Sequence, residues 1–139
     1  MVKPLVTFAD PEQWAVDLVA DGLALRGEDY ANATVDVGFP KDTLTKAPLT
    51  THVQVEHESA EDEWFPVAER AQVRFNCWAP KGERPAVKAL AALVHGLVLA
   101  HDDVSPLTGR SEVIADPTTG YLMVWFTALV NTRATLLTP

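Results

Sequence analysis

The chain has 139 residues, of which 47% are hydrophobic and 22% are charged, and its formal net charge at pH 7 is −8. We expect one domain, residues 1–139, with a sizeable core, and the acidic balance argues against tight binding to nucleic-acid phosphates. Apolar runs fall short of the roughly 18 residues of a membrane span, and the N-terminus does not have the pattern of a signal peptide.

The first third of the chain predicts a capped helix, a short strand and a loop. Asp10 stands at the N-cap position, with Pro11 at the first helical position and Gln13 at the capping-box position. Residues 33–37 read as a strand. Residues 38–50 contain prolines and lysines without periodicity, which predicts a mobile loop.

A hairpin with an acidic turn is expected next. Residues 51–58 alternate as a strand, residues 59–63 form the turn, and a return strand over 64–78 is kinked near Pro66. A solvated tip that discourages edge aggregation is one interpretation. A contact or pore-lining element of an oligomer is the other. The carboxylates concerned are Glu56, Glu58, Glu61, Asp62 and Glu63.

The second half predicts a helix over 83–101 and strands over 111–115 and 119–135. In the last strand, alternate positions form an apolar row: Leu122, Val124, Phe126, Ala128 and Val130. The fold class is therefore α+β: a mostly antiparallel four- to five-stranded sheet with two helices packed on one face, in the order α-β-β-β-α-β-β.

The second face of the last strand is partly apolar, because it carries Tyr121, Met123 and Trp125. Two helices cannot cover both faces of one sheet. Residues 38–50 of the same chain or a neighbouring copy must cover this face. We predict an oligomer interface formed by Tyr121, Met123 and Trp125. Arg110 either adds a charged contact to this interface or is exposed to solvent.

Residues with catalytic chemistry are sparse. Cys77 alternates with core positions and is expected to be buried, and as a lone cysteine it favours a reducing compartment. His52 and His57 should lie on opposite faces of a strand, which argues against a shared metal. His101 fits a helix C-terminus. Phosphate-loop motifs are missing, so no cofactor, metal or catalytic residue is predicted.

Two segments carry a family resemblance: VRFNCWAPKGERPAVKALAALVHGLVLAH (residues 73–101) and SPLTGRSEVIADPTTGYLMVWFTALVNTRAT (residues 105–135). They resemble the tail terminator, or tail completion, proteins of long-tailed, siphovirus-type phages, closest to those of actinobacterial phages. The order of elements is similar over nearly the whole chain. The resemblance implies a small α/β fold that closes into a hexameric ring on the phage tail tube.

The resemblance also implies a function and partners. Such a ring ends tube polymerisation, contacts the major tail tube protein, and offers a docking surface to the connector of the head. DNA passes through its lumen without sequence-specific binding. We therefore expect a structural virion protein at the head-proximal end of the tail, assembled in the host cytoplasm. The alternatives are a head-completion or connector protein, an adaptor, and a small enzyme using His57 with Glu56 or Glu58.

Overall fold

A computed structural model of the chain describes residues 6–8, 10–30, 32–40, 50–64 and 68–136. Within these residues there are two α-helices, seven β-strands and a short 3₁₀ turn at Gly27–Tyr30. In chain order they are β1 Val6–Phe8, α1 Pro11–Ala24, β2 Thr34–Asp36, β3 His52–Trp64, β4 Ala68–Ala79, α2 Arg84–Leu99, β5 Val104–Pro106, β6 Ile114–Ala115 and β7 Leu122–Leu136.

The strands form one sheet, and its main path runs β1-β7-β4-β3-β2. All pairs are antiparallel except β2 with β3, which run parallel. Strand β7 is the centre of the fold, because β4 pairs along one of its edges and β6, β5 and β1 pair in turn along the other. The predicted α+β class and element order are confirmed, with β1 and β5 as short additional strands.

The core lies between the sheet and both helices. Cross-strand pairing aligns Val55 with Phe75 and Phe75 with Phe126, so the inward positions of β3, β4 and β7 form continuous rows. The Phe75 and Phe126 rings stack with centroids 5.0 Å apart, and both side chains are fully buried. The helices cover these rows with their own buried residues, which are Ala15, Val19, Leu23, Val87, Leu90, Ala91, Val94 and Val98.

The start of α1 follows the predicted cap. The Asp10 side chain accepts a hydrogen bond from the Glu12 amide at 3.0 Å, and Pro11 occupies the first turn. Gln13 does not complete a capping box, because its side chain donates instead to Asp17 at 2.9 Å. The helix start is therefore formed by the Asp10 cap and Pro11, without a capping box.

Replacing Asp10 with alanine should lower the free energy of unfolding by about 1 kcal/mol, because an amide of the first turn loses its acceptor. Urea denaturation of the wild type and the variant measures the difference. Asp21→Ala, on the exposed side of the same helix, is the control and should change stability by less than about 0.5 kcal/mol. Equal stability of the Asp10 variant and the control would contradict the capping role.

The predicted acidic turn at 59–63 is wrong. Strand β3 continues to Trp64, and within it Glu61 pairs with Arg70 and Asp62 with Glu69. Ladder hydrogen bonds join backbone groups, so a run of carboxylates does not by itself end a strand. The register of this pair shifts between His57 and Ser59 and again between Asp62 and Trp64, as at a β-bulge. The predicted kink at Pro66 and residues 41–49 of the predicted loop over 38–50 lie outside the described residues.

Candidate oligomer interface

The sheet face opposite the helices carries an apolar row at one end, which we call the apolar strip. Met123 of β7 pairs in register with Trp78 of β4 on one side and with Ile114 of β6 on the other. Phe39 lies over Trp78, with ring centroids 5.0 Å apart at 75°. Trp78 is buried, but 42% of Phe39 and 44% of Ile114 are exposed. The apolar strip is therefore only partly covered by its own chain. It consists of Phe39, Trp78, Met123 and Ile114.

The next row on this face is polar and internally hydrogen-bonded. The Gln54 side-chain oxygen accepts from Asn76 at 3.2 Å and from the Trp78 indole at 3.1 Å. Arg74 Nε donates to the Asn76 side-chain oxygen at 2.8 Å, and its guanidinium lies 4.4 Å from the Trp125 ring centroid. This network satisfies polar groups at the sheet surface and holds Trp125, which is half-buried, beside a cation.

His52 closes the same face at its β2 edge and is buried. Its Nε2 donates to the Gly38 carbonyl at 2.9 Å, and its Nδ1 accepts from the Thr34 hydroxyl at 2.5 Å. This pairing uses the neutral imidazole. Burial lowers the pKa of His52 despite the opposing effects of the Gly38 carbonyl and Asp36. The chain segment through Gly38 and Phe39 is thereby held against the outer face.

The structure brings together only part of the predicted interface. Met123 and Trp125 lie at successive outward positions of β7, and Tyr121 precedes the strand, where its carbonyl accepts from the Asp116 amide at 2.8 Å. Arg110 lies in the other layer, beside His95 of α2. The sequence analysis did not identify Phe39 and Ile114 as interface residues, although Phe39 follows the predicted strand 33–37 and Ile114 lies within the predicted strand 111–115.

On the helix side, a cavity of about 800 Å³ opens between α2 and the segment before β6. We call it the basic groove. Arg84 and Lys88 border it from α2 and Arg110 borders it from the opposite wall. Glu112 is its acidic lining residue, while Ala89, Ala92, Val113 and Val124 supply its apolar walls. Three cations therefore converge on one groove in a chain of net charge −8.

His95 connects the groove to the core. Its ring packs edge-on against the Phe126 ring, with the two ring centroids 4.6 Å apart. Its Nδ1 accepts a hydrogen bond from Arg110 at 3.3 Å. Burial, followed by the positive charge of Arg110, lowers the pKa of His95. The neutral imidazole is the form that can accept this bond, so His95 positions Arg110 only while it is uncharged.

The lowered pKa values of His52 and His95 predict that acid destabilises the fold. Both histidines have folded-state pKa values below the usual 6.5, so the unfolded chain binds more protons as pH falls through that value. Stability should be full above about pH 7 and should decline between pH 6.5 and the lowered values. Urea denaturation at pH 7.5 and pH 5.5 measures this decline. His95→Gln should make it smaller, and an unchanged pH profile in that variant would contradict the assignment.

Cys77 and His101, which the sequence analysis also considered, pack against or hydrogen-bond to other residues of the chain. Cys77 is fully buried, and burial raises the pKa of its thiol to about 12, which keeps it protonated. The His101 ring packs edge-on against the Trp14 ring, with centroids 4.9 Å apart. Its Nδ1 accepts a hydrogen bond from the Asp103 amide at 3.1 Å. Within the described part of the chain, no group of three or more His, Cys, Asp or Glu residues is arranged to hold a metal ion.

None of the helices in the described residues is long and apolar enough to cross a membrane. A comparison with protein-family models finds no matching family. A comparison with curated proteins finds no matching relative.

Proposed function

We propose that this chain is a structural subunit that assembles into a ring and caps the tail tube of a long-tailed phage. In this role the ring, which we propose to be hexameric, ends tube polymerisation and offers the head connector a docking surface. The observation that carries the proposal is the apolar strip, whose Phe39 and Ile114 are 42% and 44% exposed on a face that the helices do not cover.

A ring is supported by the asymmetry of the subunit. Closed rings need heterologous contacts, in which one surface of a subunit meets a different surface of its neighbour. The chain has two unlike surfaces on opposite layers, the apolar strip and the basic groove. Apolar side chains that are partly exposed in one subunit are stabilised when a neighbour buries them.

The net charge of −8 supports the passage of DNA through a lumen. An acidic wall repels phosphates, so a genome would slide past it without adhering. Because a head-completion or connector ring would share these properties, placement at the tail end depends on the resemblance of residues 73–101 and 105–135 to tail terminators.

The geometry around His57 gives the enzyme alternative little support. Glu56 and His57 are successive residues of β3, so their side chains project to opposite faces of the sheet. Glu58 accepts a hydrogen bond from Gln72 at 2.6 Å, and the His57 amide donates to Glu12 at 2.9 Å. These contacts connect β3 to β4 and to α1.

Sedimentation velocity over a range of protein concentrations tests the proposal. A ring subunit should form one discrete species at several times 15.1 kDa, with a fraction that rises with concentration. A 15.1 kDa monomer at every concentration up to about 1 mM would contradict the ring and favour the adaptor alternative.

A further inference from the structure

We propose that neighbouring copies in the ring meet side by side, with one lateral edge of the sheet packed against the opposite edge of the next subunit. The first edge, which we call the β6 edge, is formed by β5 and β6 along β7. The second, the β2 edge, is formed by β2 and the segment that follows it. The inference rests on the proposed ring, the occupant of each edge is a second copy of this chain, and the recognition is mainly apolar.

Exposed apolar side chains are concentrated in the segments that form these two edges. Val37 and Phe39 follow β2, whereas Leu107 follows β5 and Ile114 belongs to β6. All four are exposed, and Leu25 at the end of α1 is the one other exposed large hydrophobic residue in the described part of the chain. Each edge therefore carries a surface that another chain stabilises by covering it.

One cross-strand row joins the two edges at a single level of the sheet. The row consists, in order, of Ile114, Met123, Trp78, His52 and Thr34. The apolar strip follows this row from the β6 edge as far as β4, where Phe39 packs on Trp78. A second subunit placed beside the first at the same level would continue the strip from one sheet into the next.

The two edges of one subunit cannot meet each other. Strands β7, β4 and β3 lie between β6 and β2. The four inter-strand spacings correspond to about 19 Å. Only another copy can therefore bring a β2 edge to a β6 edge. Each subunit then uses one edge towards each neighbour, and this heterologous contact repeats until the ring closes.

The charges beside the two edges have opposite signs. The basic groove, with the cations Arg84, Lys88 and Arg110 and the acidic residue Glu112, opens beside the segment that leads into β6. On the other side, Asp36 is exposed and is the charged residue of segment 32–40. Pairing two like edges would oppose like charges, whereas pairing unlike edges does not. The charges therefore favour the heterologous contact.

Disulfide cross-linking tests the contact in the full chain. The pair variant is Val37→Cys with Ile114→Cys, and it should remain folded because both residues are exposed. A disulfide requires Cα atoms within about 7 Å, so the separation of about 19 Å excludes a bond inside one subunit. Cys77 does not interfere, because it is fully buried and the pKa of its thiol is raised to about 12.

Oxidised glutathione is added to the assembled variants, and the products are separated by electrophoresis under denaturing, non-reducing conditions. The pair variant should give a ladder of cross-linked species that ends at the complete ring. Each single variant should stay monomeric, because a heterologous contact never brings two copies of the same residue together. Ala100→Cys with Ile114→Cys is the matched control and should give no ladder, since Ala100 is exposed but lies at the end of α2.

Dimers formed by either single variant would show a twofold contact between like edges and overturn the proposal. A control that cross-links as fast as the pair variant would contradict it too. A pair variant that stays monomeric, while the wild type sediments at several times 15.1 kDa, would leave the edges to another partner and the proposed function intact. A wild type that never assembles would overturn the proposed function, and this contact with it.

Discussion

Replacing Phe126 with alanine should lower the free energy of unfolding by about 3–5 kcal/mol, the largest stability effect that we expect in this chain. Phe126 is fully buried, stacks on Phe75 and supports the His95 ring, so alanine leaves a cavity where the sheet meets α2. Because its neighbours come from two layers, they cannot close that cavity without moving the helix. Urea denaturation at pH 7.5 measures the loss.

Phe39→Ala is the matched control for this change. Phe39 is 42% exposed, and among the described residues its ring contact is with Trp78, so the substitution should lower the free energy of unfolding by less than about 1.5 kcal/mol. An equal loss in the free energy of unfolding for the two substitutions would contradict the placement of Phe126 in the core and Phe39 on the outer face of the sheet.

Replacing Trp125 with aspartate should weaken self-association by roughly 30-fold or more, as expected for a tryptophan at the centre of an interface. Trp125 is half-buried at the outward position next to Met123, and Arg74 lies 4.4 Å from its ring centroid. Aspartate would put a charge into the contact. The subunit should remain folded, because the new carboxylate can pair with the Arg74 guanidinium.

Leu25→Asp makes a similar apolar-to-charged change on a residue that is 87% exposed at the end of α1, away from the apolar strip. It should leave association unchanged. Sedimentation equilibrium compares the two variants, and circular dichroism checks their folding. An unfolded Trp125 variant would show that this residue supports its own subunit, and an assembled one would exclude Trp125 from the interface.

The parts of the fold that follow from local chemistry were predictable. The Asp10 cap depends on one side chain and an amide two residues away, and the alternation in β7 reports directly which residues face the core. The fully buried positions Phe126, Ala128 and Val130 are those that the alternation predicts. The inward face of β7 therefore followed from periodicity alone.

Features that depend on distant partners were not predictable. The acidic segment reads as a turn in isolation, and only pairing with β4 makes it a strand. Strands β1 and β5 have three residues each, which is too few to show the alternation of apolar and polar residues that marks a strand. They form by pairing with the edge of β7. The basic groove combines a helix with a segment that follows a chain reversal, so the partners of Arg110 could not be inferred from the residues near it.

Electron microscopy of the purified protein tests the central claim, that copies of this chain close into a ring. Particles are imaged at the concentration where sedimentation shows full assembly. We predict annular particles with six-fold symmetry and a central opening. Compact particles of 15.1 kDa subunits without an opening, or an open chain that never closes, would contradict the ring.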